Sequence, residues 1–119
     1  MGIWGARVFE NDAASDFLDH AVDELRTFID DDLAKCGEDS VLERPVLAAV
    51  ACLRAILCGT CDTRQAAVLV PRTVVEHWQA EYARWFEETL PRAGLEKPVL
   101  EAMRENARAE FQSLLTCLA

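Results

Sequence analysis

The chain has 119 residues, 51% of them apolar and 8% aromatic, which is enough for one domain with a real buried core. No apolar run approaches the roughly 18 residues that span a bilayer, and the opening residues lack the basic stretch followed by an apolar stretch of a secretory signal. A net charge of −9 argues against a nucleic-acid binder, which shows a basic face, so the expectation is a cytoplasmic protein with no nucleic-acid and no membrane partner.

The charge is unevenly placed. Residues 10–43 hold twelve Asp and Glu against Arg26 and Lys35, whereas residues 44–119 hold nine acids and nine bases. The acidity therefore belongs to the first helix and the loop after it. Ten of the twelve bases are Arg, which together with abundant Ala suggests a GC-rich bacterial genome. Five cysteines, an odd number without an export signal, are expected to be reduced thiols.

In chain order, residues 1–10 read as an ordered arm. Trp4 and Phe9 are too large to leave in water without a reason, and Gly2 and Gly5 permit close backbone approach. Both aromatics are expected to plug the fold and fasten the arm down. Helix one is predicted over 12–31, capped by Asn11 or Asp12. Phe17, Leu18, Ala21, Leu25, Phe28 and Ile29 recur at steps of three and four and form its apolar face. At roughly 100° per residue, Asp12, Asp16, Asp19, Asp23 and Asp30 fall in a stripe on another side. Asp32 rotates back onto the apolar face, so fraying is expected there, before Gly37.

Helix two has two candidate starts, a capping box at Ser40–Glu43 and Pro45 at the first helical position. The later start is favoured, giving 45–58, and with Arg54 its only charge this is expected to be the most buried helix, closed by Gly59. Residues 59–72 fit a short strand, a helical turn or a connector, and are read as a connector. Helix three is predicted over 73–90, from the Thr73–Glu76 capping box to Pro91, with Val75, Trp78, Tyr82, Trp85, Phe86 and Leu90 on one face. Helix four is predicted over 98–118, with Leu100, Met103, Ala107, Phe111, Leu114 and Leu118 as its core line. Glu101–Arg104 and Glu105–Arg108 are spaced to pair on its wet side. The expected fold is all-α, a single domain over 1–119 built as a compact bundle of about four helices with an ordered extended arm.

Few motifs carry chemistry. Cys58-Gly-Thr-Cys61 has redox or metal spacing, but a reactive first Cys needs a helix N-terminus, and Cys58 falls at a C-terminus. A zinc site would need two further ligands, and no second CxxC or HxxxH occurs. Cys36, Cys52 and Cys117 read as small core fillers. His20 lies beside Asp16 and Asp19, without the repeated Glu-x-x-His of a di-iron bundle, and reads as a surface histidine. There is no Gly-rich phosphate loop and no Gly-x-Ser-x-Gly. No catalytic residue, metal site or cofactor is assigned.

The opening stretch carries a family resemblance. Met1, Gly2, Trp4, Gly5, Phe9, Glu10, Asn11, Asp12, Ala14, Asp16 and Phe17 resemble the start of the bacterial domain-of-unknown-function family DUF4259. The chain departs from it at Arg7-Val8, where the family has Gly-Pro or similar. The dense match covers about a sixth of the chain, and residues 45–58 resemble the family more loosely. The resemblance implies a fold and no mechanism; Trp4, Phe9, Asn11 and Phe17 are expected from the residues themselves to be structural anchors.

The acidic stripe is the one feature left over. It reads either as a solvated face or as a docking face for a basic partner. The functional expectation is a protein–protein interaction module that uses Asp12, Asp16, Asp19, Asp23 and Asp30 to bind an unknown, basic protein partner, in its sharper form neutralising it as immunity-type proteins do. The rival is a small metal-binding or hydrolytic module using Glu10, Asp12, Asp16 and His20; the balance leans away from an enzyme.

Overall fold

A computed structural model describes residues 11–36 and 44–118, and every regular element among them is helical. The helices are α1 (Asp12–Cys36), α2 (Val46–Thr60), α3 (Thr63–Leu69), α4 (Arg72–Thr89) and α5 (Lys97–Leu118), with a 3-10 turn at Leu90–Ala93 between the last two. The all-α expectation holds. The arm, with Trp4, Phe9 and Glu10, lies outside the described residues, as does the Ser40–Glu43 capping box.

α1 starts directly after Asn11, which is itself outside the helix. The Asn11 side-chain oxygen accepts the Ala14 N–H at 2.8 Å and its carbonyl accepts the Ser15 N–H at 2.9 Å, which settles the choice of cap. The helix runs to Cys36 rather than fraying at residue 31. Its inner line is Leu18, Val22, Leu25, Ile29, Asp32 and Cys36, in steps of four and three. Asp32 stays on that line because Arg44 Nη1 lies 3.6 Å from its Oδ1, the two side chains being 10% and 8% exposed. Arg44 Nη2 also donates to the Lys35 carbonyl at 3.2 Å. A lone buried carboxylate costs several kcal/mol, and a paired one is tolerated.

The inner line also corrects the expected core face of α1. Val22, left off that face, is 1% exposed, whereas Phe17 is 67% and Phe28 45% exposed. Phe17 therefore does not anchor the bundle among the described residues. It stands about 100° around the helix from Leu18, on the flank opposite the aspartates.

α2 packs between α1 and α5 through Val46, Ala49, Val50, Leu53 and Leu57. Its outer line, Ala48, Cys52, Ala55 and Gly59, is exposed, so the helix is buried on one face only. The outer residues are small and leave little apolar area in water despite an almost uncharged sequence. Arg54 turns aside to an ion pair with Glu110 of α5.

The expected connector at 59–72 contains α3. Asp62, in an extended conformation, accepts the Gln65 N–H at 2.8 Å and starts the helix. α4 begins at Arg72 behind Pro71 with no side-chain cap bond, so the Thr73–Glu76 box goes unused. Its predicted face is buried from Val75 to Leu90, and Tyr82 lies against Trp85 and Phe111 with ring centroids 5.5 and 5.7 Å apart. Gly94 ends the 3-10 turn with φ 78°, a conformation that costs glycine nothing. In α5, Ala107, Phe111, Leu114 and Leu118 are buried as expected, together with Leu115. Arg108 pairs with Glu105 at 2.5 Å, but Arg104 crosses to Glu87 of α4 at 2.8 Å instead of taking Glu101.

The four long helices contact one another in a closed circuit, α1 with α2, α2 with α5, α5 with α4, and α4 with α1. Leu53, Leu57, Trp78, Phe111 and Leu114 meet inside it, each less than 2% exposed. α3 is the extra element, lying on α5 and α2 outside the circuit. The C-terminal ends of α2 and α5 are joined by a Cys58–Cys117 disulfide whose Cα atoms are 5.9 Å apart. The expectation of five reduced thiols, and of Cys117 and Cys52 as core fillers, is corrected: Cys117 is cross-linked and Cys52 is exposed. The pairing joins residues 59 apart, and packing of α2 on α5 creates it where local spacing could not show it.

Candidate functional site

α3 has only seven residues, and the one it buries fully is Ala66. Anchored by that small side chain and by Val70 just beyond it, α3 leaves Val68 77% exposed. It faces α1 across a groove, and Arg26 of α1 reaches over to donate to the Leu69 carbonyl at 3.0 Å. Two adjoining hollows make up this groove. One, of about 450 Å³, is lined by Asp19, His20, Val22, Asp23, Arg26, Val68 and Leu69. The other, of about 370 Å³, runs from Ser15 and Leu18 past Asp19 to Asp62, Arg64 and Gln65 and shares Val68 and Leu69. Both volumes lie in the range of binding clefts.

The floor and lip are apolar and the rim is charged. Asp19 and Asp23 stand one turn apart, about 6 Å along the helix axis, on the side facing Val68. Asp62 adds a third carboxylate at the far end, already engaged with the Gln65 amide. Against these stand Arg26, tied to Leu69, and exposed Arg64. His20 Nε2 lies 3.8 Å from Glu24 Oε1 in an exposed contact that is worth little.

The five expected docking aspartates are all exposed, but the structure does not bring them to one site. Asp19 and Asp23 line the groove. Asp12 and Asp16 continue the same flank toward the helix start, where a carboxylate also favours the dipole. Asp30 serves the core instead, because its Oδ1 accepts the indole N–H of fully buried Trp78 at 2.7 Å. It ties α4 to α1 and does not line the groove. Asn11 does cap α1; Trp4 and Phe9 lie outside the described residues. A connector over 59–72 gives no reason to single out Val68 and Leu69, and Arg26 gains its place only through the Leu69 carbonyl, 43 residues away. The signal was there, since Asp62-x-x-Gln65 has helix-start spacing.

A further hollow, between α4 and α5, holds about 160 Å³ over Tyr82, Phe86 and Phe111. Arg104 covers it, 5.4 Å from the Phe86 ring centroid and bound to Glu87. It is too small for an ordinary ligand. Burial, and then the nearby Cys36 thiol, push the Tyr82 hydroxyl above its ordinary pKa. Among the described residues no group of three or more His, Cys, Asp or Glu side chains could hold a metal ion, and no helix is long and apolar enough to cross a membrane.

No curated protein and no solved structure matches the chain. A family model described as a domain of unknown function, DUF4259, matches residues 2–116, far beyond the N-terminal stretch that first suggested it. The chain belongs to the DUF4259 family.

Proposed function

We propose that this protein is an interaction module of the cytoplasm whose α1/α3 groove receives a basic, partly apolar segment of another protein. The observation that carries the reading is the placement of Val68, 77% exposed, on the lip of a groove whose opposite rim presents Asp19 and Asp23. An isolated acidic stripe needs no partner, because solvated carboxylates are stable in water. An exposed valine on a seven-residue helix beside two carboxylates offers what an arginine or lysine side chain uses: apolar surface for its stem and charge for its head. In the sharper form, covering the basic residues of a partner neutralises it, as immunity-type proteins do. Such rim charges act chiefly on association rate and on the choice of partner.

Titration with a fluorescent arginine-rich peptide tests the reading. Asp19→Asn with Asp23→Asn should weaken binding roughly fivefold, the worth of two exposed ion pairs at a few tenths of a kcal/mol each. Val68→Ser should weaken it further. Equal affinity for the wild type and both variants would reject the groove.

A further inference from the structure

We infer that the Cys58–Cys117 disulfide is a reversible thiol switch that sets how firmly α3 is held, and with it one wall of the groove. The consequence for the groove rests on the functional reading above; the switch itself does not. Cys58 sits in the last turn of α2 and Cys117 in the last turn of α5, and these are the two helices on which α3 lies. α3 begins at Thr63, five residues after Cys58, so the cross-link clamps the platform beside the point where the chain leaves it. An isolated helix of seven residues has no stability of its own in water. Its place depends on Ala66 and Val70, on Arg26 reaching Leu69, and on Arg72 donating to the Leu115 carbonyl at 3.4 Å, two residues before Cys117. The last of these contacts is with the segment of α5 that the disulfide holds.

Cys58 lies at an exposed position and Cys117 at a half-buried one, so the pair sits at the surface end of the two helices, where thiol–disulfide exchange takes place. Closing the bond removes two electrons and two protons from the Cys58 and Cys117 thiols. A low-molecular-weight disulfide such as oxidised glutathione takes them up and leaves as two thiols. Opening is the reverse exchange with a dithiol. Cys36, Cys52 and Cys61 are free thiols in the cross-linked state. In a reducing compartment such bonds form transiently and report redox state, which reconciles an odd cysteine number with a cross-link.

The test uses the full chain in two states, equilibrated with oxidised glutathione or with dithiothreitol. Peptide mapping of the oxidised form should show the Cys58–Cys117 link, with three thiols titrating against five after reduction. Amide hydrogen exchange over 65–70 should be about tenfold faster in the reduced form, while the centre of α4 is unchanged. Cys117→Ser under oxidising conditions should reproduce the fast exchange, which separates loss of the link from any other effect of the reductant. Absence of the mapped link, or equal exchange in α3 with the link open and closed, overturns the switch. The peptide titration is a separate readout: a failure to bind in either state counts against the groove and leaves the exchange result standing.

Discussion

Asp32 and Arg44 give the sharpest test of how α1 is built. Asp32 occupies an inner position of the helix between Ile29 and Cys36, and its pairing with Arg44 leaves both side chains about nine-tenths buried. Removing one member of such a pair leaves an uncompensated buried charge, which costs about 3–5 kcal/mol. Arg44→Met should cost that amount, because Asp32 is left on the apolar face with its Oδ2 already lacking a hydrogen bond among the described residues. Asp32→Leu should cost a similar amount, since it leaves the Arg44 guanidinium, only 10% exposed, with the neutral Lys35 carbonyl and no carboxylate. The double variant should then lie within about 1 kcal/mol of the wild type, because a well-packed apolar pair often replaces a buried ion pair without loss. Urea denaturation of all four proteins, each in the disulfide form, gives the cycle directly. Costs that simply add would refute the reasoning, as would a cost below about 1 kcal/mol for Arg44→Met.

Asp30→Ala removes the acceptor of the buried Trp78 indole and should cost about 1.5–3 kcal/mol, whereas Asp30→Asn keeps an oxygen there and should cost under about 1 kcal/mol by the same assay. Phe17→Ser should change stability by no more than about 0.5 kcal/mol, because the ring is 67% exposed; a core anchor would show several times that. Leu53→Ala, at a position with 0% exposure, should cost about 2–5 kcal/mol in thermal or urea unfolding. Tyr82 is the chain's single tyrosine, so ultraviolet titration reports it alone. Its folded pKa lies above the ordinary 10.0, so the stability from its neutral form is complete below that value and is lost as pH rises through the higher folded pKa; urea midpoints should fall over the pH range in which the phenol ionises.

The elements that could be read from the sequence were those whose reasons are local. The apolar face of α4, from Val75 through Trp78, Tyr82 and Phe86, repeats at helical spacing and is buried as expected. The line Ala107, Phe111, Leu114, Leu118 of α5 is equally plain. What escaped depended on partners distant in the chain. Asp32 looked like a helix end because an acid on an apolar face has no local justification; Arg44, twelve residues on, supplies one. Asp30 looked like one more member of an acidic stripe because the indole it holds is 48 residues away. Phe17 shared the three-and-four spacing of the core, but the helix has turned it onto a flank, and spacing alone does not choose between neighbouring lines. α3 was legible through Asp62 and Gln65, yet seven residues give too little periodicity to outweigh the apolar run that suggested a strand or connector. Of the site, Asp19 and Asp23 could be named in advance; Val68 and Leu69, on the opposite wall, could not.

A basic segment seated between α1 and α3 is the centre of the functional reading. Amide chemical-shift mapping of the isotope-labelled, disulfide-closed protein during titration with an arginine-rich peptide tests it most directly. The perturbed amides should cluster in residues 15–26 and 62–70, and the changes should fade as salt screens the charges. Shifts centred on the α4/α5 face, or spread evenly along the acidic flank from Asp12 to Asp30 without involving α3, would contradict it.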